Sequence, residues 1–150
     1  MSAIIMFDDS CWPLLLLRVT GPMTDKQFGE FLAQSSTYVE RGERYVSIFD
    51  IAQAGLPSST QRQMQVEWIR KYDAQLRERV LGNANIITSA PLRLALSLIF
   101  HLKPLPMPYA AVPDMASALR FVIGKLEEAG MREDVARIRR QFNVAGVRAG

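Results

Sequence analysis

Residues 45–68 read YVSIFDIAQAGLPSSTQRQMQVEW, and the change of rhythm inside this stretch decides the fold. Residues 44–51 (RYVSIFDI) form a strand whose interior is almost continuously apolar, the pattern of a strand covered on both faces. Gly55 and Pro57 then break the run, and Ser58 and Ser59 stand where a helix should begin. From there Met64, Trp68, Tyr72 and Leu76 step by four along a helix that ends before Gly82. Strand, short loop and helix in this order make one βα unit of a parallel sheet.

The flanking sequence repeats the unit. Residues 3–7 (AIIMF) and 12–19 (WPLLLLRV) read as two strands joined by the turn formers Asp8, Asp9 and Ser10. Thr24, with Gln27 three residues on, has capping-box spacing, and Phe28, Phe31, Leu32 and Val39 give the first helix its apolar face before Gly42 stops it. A short strand is expected at 84–88 (ANIIT). A third helix follows from Pro91 behind Ser89 to about Leu102, and a last strand spans 109–112 (YAAV). Asp114 caps a fourth helix carrying Leu119, Val122, Ile123 and Leu126 inward, with Gly130 at its end. A fifth, basic helix has Met131, Val135, Ile138 and Phe142 as its stripe. The expected fold is α/β: a mainly parallel sheet of four to five strands, an N-terminal antiparallel hairpin and about four helices packed on the sheet. Residues 1–130 form that domain, and residues 131–150 a basic C-terminal helix and tail.

Composition restricts the function. At 150 residues with 49% hydrophobic and 22% charged side chains, the chain has the profile of one soluble globular domain. No signal peptide is readable at the N-terminus, and the apolar run Leu94–Leu102 is far short of the roughly 20 residues of a membrane span. Cys11 is the single cysteine, which excludes an internal disulfide and fits a reducing cytoplasm, with the thiol read as buried and idle. The net charge is +3, yet residues 1–131 hold 13 basic and 13 acidic side chains. The excess comes from Arg132, Arg137, Arg139, Arg140 and Arg148 against Glu133 and Asp134. A neutral body with a basic end is not a nucleic-acid-binding profile.

Chemistry-bearing residues are sparse. His101 is the only histidine, and no Cys/His cluster, Gly-rich phosphate loop or paired-carboxylate motif is present. No catalytic residue, metal ligand or cofactor site is assigned, and the chain is read as a non-enzyme. The third helix is the unusual element. Arg93, Ser97 and His101 share one narrow stripe, while apolar side chains cover the remaining arc of roughly 240°, more than a helix on a single sheet face needs. Leu94, Leu98, Ile99, Phe100 and Leu102 are therefore candidates for an interface or a pocket. The cover is a second subunit, making a homodimer, or the C-terminal helix, or a lipid-like or small apolar ligand. Ser89 and Arg93 at the helix start are candidates for binding an anion.

The element order, with the segments 45–68 and IITSAPLRLALSLIFHLKPLPMPY at 86–109, resembles the STAS domain of anti-sigma-factor antagonists (SpoIIAA-like). Within that group it is most similar to stand-alone bacterial STAS-like or SEC14-like proteins. The likeness covers residues 3–127. It implies a non-catalytic, regulatory protein-interaction module in which a serine opening the second helix is phosphorylated. Carried over, Asp50 and Ile51 match the strand end, and Ser58 and Ser59 match the serines, with Thr60 following. Pro57 stands where that family has an acidic residue, Thr60 where it has glycine, and the loop is about one residue shorter. The same serines also suit ordinary helix capping. The SEC14-like side of the resemblance implies instead a lipid or small-ligand carrier using the 91–102 helix.

Overall fold

A computed structural model describes residues 2–143. Five strands and five helices alternate: β1 (Ile4–Cys11), β2 (Leu14–Gly21), α1 (Asp25–Val39), β3 (Tyr45–Ala54), α2 (Ser59–Arg79), β4 (Val80–Ile86), α3 (Ala90–Leu102), β5 (Tyr109–Val112), α4 (Met115–Glu128) and α5 (Arg132–Phe142). The strands lie in the sheet in sequence order, β1-β2-β3-β4-β5. β1 runs antiparallel to β2, and every other neighbouring pair is parallel.

Three boundaries differ from the sequence reading. The first turn falls at Trp12–Pro13, because β1 carries on through an irregularity between Asp8 and Cys11. β3 continues to Ala54, since Gln53 and Ala54 pair with Thr20 and Gly21 of β2. β4 starts at Val80 and ends at Ile86: the polar residues Gly82, Asn83 and Asn85 are drawn into the ladder by β3. In each case pairing with a neighbour extends a strand past its apolar stretch.

Alternation along the strands sorts the helices. Leu14, Val46, Ile48, Ala84 and Ile86 pack with Leu119, Val122 and Ile123 of α4 and with Val135 and Ile138 of α5. On the opposite face, Leu15 and Val80 meet Val66, Ile69 and Leu76 of α2 and Ile99 of α3. Leu17 and Val19 meet Phe28, Phe31 and Leu32 of α1. Thus α1, α2 and α3 cover one face, and α4 and α5 the other. Crossovers of one hand that step in one direction across a sheet leave all their helices on the same side.

The C-terminal helix therefore does not cover α3. Its stripe lies across the sheet from that helix, with Val135 and Ile138 buried in the α4 core and Met131 and Phe142 half-buried beside it. Arg148, the last arginine of the basic tail, lies outside the described residues. Because Ile138 has no exposed surface, Ile138→Ala should cost about 2–5 kcal/mol of stability. Urea unfolding followed by tryptophan fluorescence would measure this as one cooperative transition with a lowered midpoint.

Candidate functional site

Two regions on the α1–α3 face gather the residues singled out from the sequence. The first is the start of α2. Gly55 is held by its N–H donating to the Gly21 carbonyl at 3.0 Å. A Cβ at residue 55 would lie 2.7 Å from the Pro22 backbone, so only glycine lets the two loops approach this closely. Ser58 is the N-cap of α2. Its Oγ accepts from the Gln61 N–H at 3.1 Å, and the Gln61 side-chain oxygen accepts from the Ser58 N–H. Gln61 is itself buried, and its amide donates to the Met23 carbonyl and to Asp25, both at 2.9 Å. The capping box thus also ties the start of α2 to the start of α1.

Ser58 is therefore occupied as a structural cap. Ser59 and Thr60 are exposed on the first turn, and neither hydroxyl takes part in a hydrogen bond among the described residues. Leu56, just before them, is 58% exposed. Asp50 does not join this group. It sits within β3, on the side of the sheet that faces α4, and its carboxylate accepts from Arg18 at 3.1 Å.

The second region surrounds α3. Leu92, Ala95 and Ile99 are buried, and Lys103 at its end donates to Asp73 of α2 at 2.6 Å. Lys103, and then Arg77, hold the Asp73 carboxyl below its ordinary range. The five apolar candidates divide. Leu94, Leu98 and Leu102, spaced by four, lie 62%, 47% and 59% exposed along the outer side. Ile99 is inside, and Phe100 is half-buried with its ring centroid 4.9 Å from that of Tyr109. Ile99 and Phe100 line a cavity of about 140 Å³ between the sheet and α1–α3, whose walls include Phe49, Trp68, Leu92 and Leu96.

The floor of this cavity is polar. Ser47 and Asn83 are register partners on β3 and β4. Asn83 Nδ2 donates to Ser47 Oγ at 2.9 Å, and Asn85 Nδ2 donates to Asn83 Oδ1 at 2.8 Å. All three are at least nine-tenths buried. None of the three is among the site residues expected from the sequence, where each stands singly inside a largely apolar strand. The signal was present in GNANI, where Asn83 and Asn85 alternate with Ala84 and Ile86 and so share one face.

Beside the cavity, between α3 and β5, runs an open groove of about 340 Å³. Arg93, Ser97, His101 and Tyr109 line it, and Asn85, Leu96 and Phe100 line both spaces. The polar stripe of α3 is thus the wall of a groove. Ser89 does not line it: its Oγ accepts from the Leu92 N–H at 3.3 Å as the cap of α3, and its carbonyl accepts from the Arg93 N–H at 3.0 Å.

Cys11 is buried in the α4 side of the core, and burial, followed by the nearby Asp8 charge, pushes its thiol pKa up. Among the described residues no group of three His, Cys, Asp or Glu side chains is placed to hold a metal ion. No described helix is long and apolar enough to cross a membrane.

With this geometry in hand, comparison with known proteins supports the fold. No protein-family model matches the chain, and no curated protein matches it. Among solved structures, a protein of the DUF3478 family with a SpoIIAA-like fold, from Shewanella loihica PV-4, superposes with a TM-score of 0.58. It is 15% identical, over 81% of this chain and 93% of that one. An anti-sigma factor antagonist from Mycobacterium paratuberculosis superposes with a TM-score of 0.56 at 14% identity, over 81% of this chain and 94% of that one. The chain has a STAS-like, SpoIIAA-like α/β fold.

The two serines should behave differently when truncated. Ser58→Ala removes the capping bond and should cost about 1 kcal/mol, whereas Ser59→Ala should stay within about 0.5 kcal/mol of the parent. Paired denaturation curves decide this, and equal losses would contradict the capping assignment.

Proposed function

We propose that this protein is a non-catalytic, regulatory protein-interaction module that docks a partner through the loop 55–60 and the start of α2. The observation that carries this reading is the exposed group Leu56, Ser59 and Thr60, set on a SpoIIAA-like fold beside a firmly capped helix. Leu56 supplies an apolar anchor. Ser59 supplies a hydroxyl on which a phosphate would sit at the positive end of α2 without loss of the cap. The modification would add about −1.5 to −2 charge within the contact area, so its effect falls on the partner and not on the fold. The single buried cysteine accords with a reducing, cytoplasmic setting.

Affinity capture with the parent, Leu56→Glu and Ser59→Asp chains tests this reading. A partner retained by the parent should be lost with Leu56→Glu and weakened with Ser59→Asp, while both variants melt as the parent does. A partner held equally by all three would remove the loop from the interface.

Two further readings rest on α3. Its exposed leucine row supports a homodimer, since leaving such side chains in water forfeits about 1.5–3 kcal/mol each when fully uncovered. Sedimentation equilibrium should then show a dimer for the parent chain and a monomer for Leu98→Lys; a monomeric parent at high concentration would exclude it. The cavity beneath the same helix supports a carrier of a small apolar or lipid-like ligand.

A further inference from the structure

The cavity and the groove beside α3 adjoin, with Asn85, Leu96 and Phe100 lining both, and their chemistries complement each other. The inner chamber is walled by aliphatic and aromatic side chains and holds about 140 Å³. An apolar cavity of roughly 150 Å³ accommodates one benzene molecule. The two acyl chains of a phospholipid need several times that space. The chamber is therefore matched to a single ring or a short aliphatic chain.

The outer groove has the opposite character. Arg93, Ser97 and His101 follow one another along α3 beside the leucine row, with Ser97 Oγ donating to the Arg93 carbonyl at 3.0 Å, and Tyr109 lines the groove from β5. No described acidic side chain pairs with Arg93 or His101. The sequence has no Asp or Glu at all between Glu78 and Asp114, so Lys103 and Arg93 lie in a stretch free of acidic residues. Arg93 is exposed along this open groove, and a guanidinium without a carboxylate partner favours an anion there.

Asn85 lines both spaces. It is only 4% exposed, and its Nδ2 is used by Asn83. Its Oδ1 accepts from no described residue, although no fully buried side-chain polar atom lacks a partner. That oxygen therefore keeps some accessible surface, as the free end of the Ser47–Asn83–Asn85 chain in a residue that lines both spaces. An oxygen left without a protein donor at that position offers an acceptor to a hydroxyl or N–H of a ligand.

From these three features we infer that the α3 cavity and groove form one site for a small amphiphilic acid. Its apolar body, about the size of one ring, enters beneath α3 between Leu96 and Phe100. Its carboxylate or comparable anionic head stays in the groove at Arg93, and a hydroxyl or N–H donor on the ligand meets Asn85 Oδ1. This inference rests on the carrier reading and specifies its ligand.

Isothermal titration of the full chain with phenylacetate, 2-phenylethanol and dodecanoate tests it. Phenylacetate should bind, and 2-phenylethanol, which keeps the ring but lacks the charge, about tenfold more weakly. Arg93→Gln should lower phenylacetate affinity by a similar factor and leave 2-phenylethanol unchanged. In NMR spectra, mandelate, which adds a hydroxyl to phenylacetate, should shift the Asn85 side-chain amide, and an unshifted amide in the bound state would remove Asn85 from the site. Binding of dodecanoate but not phenylacetate would keep the carrier reading and overturn the size inference. Equal binding of phenylacetate and 2-phenylethanol, insensitive to Arg93→Gln, would overturn the anionic head. Binding of none of the three would overturn both the inference and the carrier reading.

Discussion

The rest of the structure depends on one topological constraint. β2, β3, β4 and β5 are added in sequence order, each one strand further across the sheet, by crossovers of the same hand. That rule places α1, α2 and α3 on one face and leaves the other for the chain after β5. Everything of functional interest follows from this segregation. The capped start of α2, the groove beside β5 and the polar floor of β3 and β4 all open on the three-helix side. Meanwhile α4 and α5 form a compact cover whose contribution is the core itself.

Capping decides how the serine pair is used. The Ser58–Gln61 box satisfies N–H groups that a helix start leaves without partners, and Gln61 then spends its remaining donors on α1. Thr24 and Gln27 do the same for α1, with Gln27 reaching Ala3 of the N-terminal segment. In both helices the glutamine of the box is a bridge as well as a cap. This gives Ser58 a structural duty that Ser59 does not share, and leaves the Ser59 and Thr60 side chains exposed on the first turn.

α3 combines three surfaces on thirteen residues. One side is buried through Leu92, Ala95 and Ile99, a second forms the groove with Arg93, Ser97 and His101, and a third exposes Leu94, Leu98 and Leu102. A helix with this distribution sits at a junction, held to α2 chiefly by Ile99 and by the Lys103–Asp73 ion pair. Its ion pair is about a quarter exposed on each side, so solvent screening keeps its energetic contribution small.

The order of elements, the mixed sheet, the caps at Thr24, Ser89 and Asp114 and a cap within the Ser58–Ser59 pair were legible in the amino-acid sequence, because periodicity and capping are local properties of the chain; which serine of the pair caps α2 was not. The apolar excess of α3 was legible too, but not its cover. Whether a stripe meets the sheet, another helix or water depends on which face the crossover assigns, and that is a property of the whole fold. For the same reason α5 went to the α4 side, Asp50 turned away from the serines, and Ser47, Asn83 and Asn85 met in one cavity. Those three residues lie up to 38 positions apart in sequence, and only the parallel register of β3 and β4 brings them together.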